Sequence, residues 1–248
     1  MAETVDQKEL HPKLLAAGDT ALVVEYGTTV DPAINARVVA LAEALSARNL
    51  EGIVDLVATF RSLMIHYDPL RLRHSTLVTE VQKLLHVKGE AGQKGRLWVL
   101  PTLYGEEEGP DLEDVARETG QSPEEVIRLH SETEYTVYMM GFLPGLPYLG
   151  LLPEQLALPR RVEPRVRVPA GSVSIATNLA NVYPSESPGG WHILGRTPIR
   201  LFDLKRDPPI LLASGDRIRF KPVDRDTYSG FEERALRGDT GFAPEGEA

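Results

Sequence analysis

Residues 141–198 hold nine of the chain's 19 prolines, seven of its 21 glycines and one of its two tryptophans. A segment so composed cannot run as regular helix. Proline removes a backbone donor, and glycine raises the entropy cost of order. It is not a bare linker either. Val, Ile, Leu, Phe, Tyr and Trp are threaded through GFLPGLPYLG, LPRRVEPRVRVPAGS and NVYPSESPGGWHILGRTP. Stiff turns carrying apolar and aromatic side chains suit the loops of a β-barrel that hold a site or an interface.

The bulk numbers narrow the classes. A chain of 248 residues can form one large domain or two small ones, and 42% hydrophobic residues allow a sizeable core. The formal net charge is −9. That argues against a general binder of nucleic acid or anionic membrane, which needs a basic footprint. The absence of cysteine removes disulfides, thiolate catalysis and Cys-ligated metals. The amino terminus is polar with no apolar core of a signal peptide, and no apolar run reaches membrane-span length. A cytoplasmic protein is the expectation.

Residues 1–13 read as a peripheral lead-in and Thr20–Tyr26 as a first strand. Asp31-Pro32 opens a helix whose Ile34, Val38, Leu41, Ala42 and Leu45 share one face. Ile53–Thr59 and Ser62–Tyr67 read as an antiparallel pair. Ser75 caps a second helix with Leu77, Val81, Leu84 and Leu85 on its buried side. This order fits a small α+β domain over 1–90. KGEAGQKGR (88–96) reads as a linker. A second domain over 91–229 begins with a strand at Leu97–Tyr104. Two short helices follow within 111–131, then a strand at Glu134–Phe142, then short strands with frequent turns. A closed antiparallel barrel fits that pattern. Residues 230–248 read as a loose tail.

The helices within 111–131 imitate a DNA-binding helix-turn-helix, with Ser122-Pro123-Glu124-Glu125 as a capping box. The second helix offers two glutamates and only Arg128, which opposes docking on phosphates. A helical insertion packed on the barrel is the expected role. None of the six histidines shows a zinc-ligand spacing, and no metal is expected. His66 reads as a half-buried strand residue. His192 follows Gly189-Gly190-Trp191 in the richest loop, where a structural and a catalytic role both stand open.

Tyr183-Pro184 and Ser185–Trp191 read either as a cradle for a small polar ligand or as a turn plugged by Trp191. The candidate donors are Asn178, Asn181, Tyr183, Ser187 and His192, with Tyr183 and His192 as the catalytic candidates. Phe142, Tyr148 and Trp191 are the candidate walls. Arg160, Arg161, Arg165 and Arg167 form a basic run. Arg165 is the candidate for a ligand carboxylate or phosphate, although such a run can equally bind an acidic partner surface and is most commonly a solvated edge. No P-loop, biotin-attachment sequence or GxSxG elbow is present.

GFLPGLPYLG, PRRVEPRVRVPAGSV and YPSESPGGWHILGRTP resemble the family of the B subunit of bacterial 5-oxoprolinase. GDTALVVEYG (18–27), RSLMIHYDP (61–69) and RDPPILLASGDRIRF (206–220) extend the resemblance to roughly residues 14–228. That family includes the kinase inhibitor KipI and was long described as allophanate hydrolase subunit 1. It also matches half of the carboxyltransferase domain of urea carboxylase. The resemblance implies a cyclophilin-like barrel for the second domain. It implies one subunit of a complex that opens 5-oxo-L-proline to L-glutamate with ATP. The partners would be a second carboxyltransferase-like subunit (C type) and a lactam-handling subunit (A type). The chain alone would hold no cofactor. The alternatives are a non-catalytic histidine-kinase regulator and a carboxyltransferase or allophanate-type subunit for a urea-like substrate. Where many members carry Gln-Thr-Gly before Tyr-Pro, this chain has Leu179-Ala180-Asn181.

Overall fold

The computed structural model describes residues 12–87, 95–237 and 243–245. It divides into two compact units, residues 1–93 and 94–248. The linker expected at 88–96 lies mostly outside the described residues.

The first unit is a four-stranded antiparallel sheet with two helices. Its strands are β1 (Lys13–Ala16), β2 (Ala21–Glu25), β3 (Ile53–Ala58) and β4 (Ser62–Tyr67), in the order β1-β2-β4-β3. β1 is an addition to the expected set. Its Lys-Leu-Leu-Ala is largely exposed and shows no alternation that a sequence reading could detect. Helix α1 (Pro32–Arg48) begins as expected, because the Asp31 carboxylate accepts from Ala33 N at 2.7 Å and Ile34 N at 3.1 Å. Its Ile34, Val38, Leu41 and Leu45 are buried with Leu22, Val24, Leu63 and Ile65 of the sheet. Helix α2 (His74–Leu84) corrects the expectation for Ser75. The helix already includes Ser75, and Arg73 stands at its cap without a side-chain bond. The preceding turn, in which Leu72 N–H donates to the Asp68 carbonyl, starts the coil earlier.

The second unit is built on a closed barrel. Its members are β5 (Leu97–Tyr104), β6 (Tyr135–Met140), β7 (Pro147–Gly150), β9 (Ser172–Ala176), β10 (Leu179–Val182), β12 (His192–Arg196) and β13 (Arg217–Pro222). Their order is β10-β7-β6-β13-β5-β12-β9, closed by the β9–β10 hairpin. The barrel is not wholly antiparallel: β13 runs parallel to β5. These are its first and last strands, more than a hundred residues apart, so the long connection that parallel neighbours need is available. Trp98, Leu100, Val137, Leu149, Val173, Ile175, Val182, Leu194 and Phe220 belong to its core. β8 (Arg165–Val168) and β11 (Ser187–Gly189) form a separate two-stranded ribbon.

Helices α3 (Leu112–Thr119) and α4 (Pro123–Glu132) pack on the barrel as the expected insertion, burying Val115, Ala116 and Val126 in its core. Ser122 Oγ accepts from Glu125 N at 3.2 Å, but the Glu125 carboxylate turns to Arg128, so the capping box is half made. Helix α5 (Arg225–Leu236) corrects the first part of the loose tail expected over 230–248, most of whose remainder lies outside the described residues. Asp224 caps it through Thr227 N, and Tyr228 is buried. Further on, Glu245 N–H donates to the Leu97 carbonyl at 2.7 Å. Among the described residues no helix is long and apolar enough to cross a membrane.

Candidate functional site

A cavity of about 380 Å³ opens in the Pro/Gly-rich part of the second unit. Three stretches bring its walls together. Phe142 and Leu146 come from the β6–β7 connection, Arg160, Arg161, Val162 and Pro164 from the segment before β8, and Pro188–Trp191 from the end of β11 and the link to β12. β10 adds Asn181, Tyr183 follows it, and Tyr148 comes from β7. Asn181 and Tyr148 are register partners across β10 and β7. Tyr148 meets Trp191 edge-on at 6.1 Å, a preferred aromatic geometry that fixes both rings. Phe142 stands at the wall in a left-handed conformation, φ 69°, and is 70% exposed.

The polar part of the wall centres on Tyr183. Its ring is buried beside Leu146, Val168 and Ile193. A Cβ on Gly189 would collide with Tyr183 Oη, so only glycine lets the ribbon backbone approach the phenol this closely. Burial pushes the phenol's pKa up, and the Asn181 amide and the Arg160 and Arg165 charges act against the rise. The net direction keeps Tyr183 a neutral hydroxyl, able to donate one hydrogen bond. Asn181 is buried in β10, and its Oδ1 accepts from Ser174 Oγ at 2.5 Å. That bond fixes the amide and leaves its NH2 as the donor group on the Tyr183 side of the cavity.

A charged cluster adjoins the cavity. Asp111 is 1% exposed. Its carboxylate accepts from Arg161 Nη1 at 2.7 Å, from Arg165 Nη1 and Nη2 at 2.8 and 2.6 Å, and from Ile193 N at 2.7 Å. Asp111 stands at the start of α3 yet makes no capping bond there. It instead ties α3, the cavity wall, β8 and β12 to one point. Arg167 pairs with exposed Glu186. Arg160 has its guanidinium carbon 5.9 Å from the Trp191 ring centre.

The structure gathers five of the nine sequence candidates at this cavity: Phe142, Tyr148, Asn181, Tyr183 and Trp191. The other four lie outside its lining. Asn178 is exposed in the β9–β10 turn, where its carbonyl accepts from Leu152 N. Ser187 is buried in β11 with its Oγ unpartnered among the described residues. His192 is buried in β12, its Nε2 2.9 Å from the Pro159 carbonyl. Arg165 is spent on Asp111. Sequence reasoning singled out neither Arg160 nor Asp111. Asp111 carries no local signal, because its partners lie 50 and 54 residues away.

Comparison with known proteins agrees with this architecture. The family model described as carboxyltransferase domain, subdomain C and D, matches residues 12–212. The 5-oxoprolinase B subunit of Bacillus subtilis is 35% identical over 229 residues, covering 88% of this chain and 95% of that protein. Its namesake from Escherichia coli O157:H7 is 41% identical over 208 residues, covering 83% of this chain and 93% of that protein. The crystal structure of TTHA0988 superposes with a TM-score of 0.75 at 37% identity, over 82% of this chain. This chain spans only 40% of that longer polypeptide.

Proposed function

The chain belongs to the carboxyltransferase-domain family, and from that premise we propose that it is the B subunit of an ATP-dependent 5-oxoprolinase. The complex opens 5-oxo-L-proline to L-glutamate. The observation that carries this reading is the match with relatives of that name, 35–42% identical over 70–88% of this chain and 83–95% of theirs. The barrel is of the cyclophilin-like kind that the family resemblance implies. A lactam-handling subunit, together with a second carboxyltransferase-like one, completes the assembly.

The cavity suits a share in that chemistry. A lactam carbonyl is a poor electrophile, and phosphorylation of its oxygen makes it a good one. The charged species then has to be held away from bulk water. Tyr183 and the Asn181 amide supply neutral donors for the lactam, Tyr148 and Trp191 supply flat walls, and the exposed Phe142 stands at the rim. The cavity lining pairs no nucleophile with a base, and the sequence has no P-loop. In this reading the chain supplies only part of the site that handles ATP.

Reconstitution tests the reading. This chain, combined with its two partners, restores ATP-dependent formation of glutamate from 5-oxoproline, and the pure chain is inactive. Full activity of the partners without this chain, or turnover by the chain alone, would contradict it.

A further inference from the structure

We propose that the cavity selects a planar amide that also carries a carboxylate, and that Arg160 receives that carboxylate. This deepens the reading above and rests on it. The cavity wall contains two arginines and no aspartate or glutamate, in a chain of net charge −9. The two arginines are not equivalent. Arg161 is committed to Asp111. Arg160 has no carboxylate partner among the described residues, and its guanidinium lies near the face of Trp191. An indole beside a guanidinium steadies it without consuming its N–H groups, which remain available to a carboxylate in a two-bond fork.

The neighbouring cluster adds to the attraction. Asp111 faces two guanidinium groups, Arg161 and Arg165, so one positive charge there is uncompensated. Arg161 brings that charge to the cavity wall. A bound anion would therefore relieve a local excess of positive charge. The remaining polar groups, Asn181 and Tyr183, are neutral and suit an amide, and the flat walls suit a ring. A cavity of about 380 Å³ is of small-molecule size. The same cation could take a phosphate instead, and the test separates the two sources.

The full chain, alone and in the assembled complex, is titrated with 5-oxo-L-proline, its uncharged carboxamide and inorganic phosphate. Binding is read by calorimetry and tryptophan fluorescence. The wild type is expected to prefer 5-oxoproline over the carboxamide by roughly tenfold or more, the worth of a charge-assisted contact. Arg160→Gln should erase that preference without changing the urea midpoint. Arg167→Gln, whose arginine pairs with Glu186 outside the cavity, should keep it. In the complex, Arg160→Gln should raise KM for 5-oxoproline while kcat is largely kept. Equal affinity for the acid and the carboxamide, or equal losses in both variants, overturns the assignment. So does binding of neither compound at millimolar concentration, alone or in the complex. Arg160-dependent binding of phosphate without 5-oxoproline would reassign the cation to a phosphate. An Arg160-dependent preference in a complex that makes no glutamate would instead sink the 5-oxoprolinase reading and leave the anion site standing.

Discussion

Replacing Asp111 with alanine should unfasten the second unit at one point. The carboxylate holds Arg161, the Arg165 fork and Ile193 N–H together, and it is 1% exposed. Removing one member of a buried ion pair costs about 3–5 kcal/mol, because the charge left behind has lost its partner. Here that figure is discounted, since Arg161 and Arg165 keep 28% and 24% side-chain exposure and can regain some water. The orphaned Ile193 N–H is deep in β12 and adds about 1–3 kcal/mol. A total of about 3–5 kcal/mol follows from the two terms. Both tryptophans, Trp98 and Trp191, lie in this unit, so fluorescence-monitored urea unfolding reports on it selectively. Asp111→Asn keeps one acceptor oxygen and should lose less. Glu186→Gln, which breaks only an exposed pair with Arg167, should stay within about 0.5 kcal/mol of wild type. A loss below about 1 kcal/mol in Asp111→Ala would refute the argument, because it would mean the cluster's desolvation cancels its attraction.

Tyr183→Phe removes the hydroxyl and keeps the ring, so the reconstituted complex should slow by roughly one to two orders of magnitude with an unchanged urea midpoint. Unchanged turnover in an assembled complex would take Tyr183 out of the site. Gly189→Ala drives a methyl into the Tyr183 hydroxyl. It should therefore reproduce the kinetic defect of Tyr183→Phe and also lower the melting temperature, and a variant matching wild type in both would refute the close approach. Burial holds the pKa of His130 down to about 3, from 6.5, so below pH 6.5 the unfolded chain takes up a proton that the folded one refuses. The stability this neutral ring permits is full above 6.5 and is lost as pH falls toward 3. About 2 kcal/mol should be gone by pH 5, and His130→Phe should show a shallower fall between pH 7.5 and 5 in urea titrations. Parallel slopes for the two proteins would contradict this.

Much of the fold was legible because its signals are local. Asp31-Pro32 and the spacing of Ile34, Val38, Leu41 and Leu45 mark α1, and β4 runs over the expected Ser62–Tyr67. The misses have physical causes. β1 is short and exposed, so it has no buried face to create a period. α5 depends on an aspartate cap and a buried Tyr228 amid charged residues, which look like a tail when read by composition. The Pro/Gly-rich segment supplies the lining of the candidate cavity, but composition does not say which way a side chain faces. Successive strand residues point to opposite faces. Asn181 and Tyr183 reach the cavity together, whereas Asn178 belongs to the turn before them, and His192, next to Trp191, does not line the cavity.

The arginine run shows how far such reasoning reaches and what completes it. Read along the chain, Arg160, Arg161, Arg165 and Arg167 are four like charges between prolines, with nothing to rank them. The fold ranks them by bringing carboxylates from elsewhere. Asp111 takes Arg161 and Arg165, and Glu186 takes Arg167. Two carboxylates do not neutralise four cations, and the two charges left over are not equally free. One is shared within a nearly buried cluster, where it cannot move to a ligand without breaking the tie to α3 and β12. The other is Arg160, which stands beside Trp191 on the cavity wall. Substituting Arg165 should therefore impair function by loosening the unit, with lost activity tracking a lower urea midpoint. Substituting Arg160 should impair it with the fold intact. The same residue type, five positions apart, divides structural work from recognition according to where its counter-charge comes from.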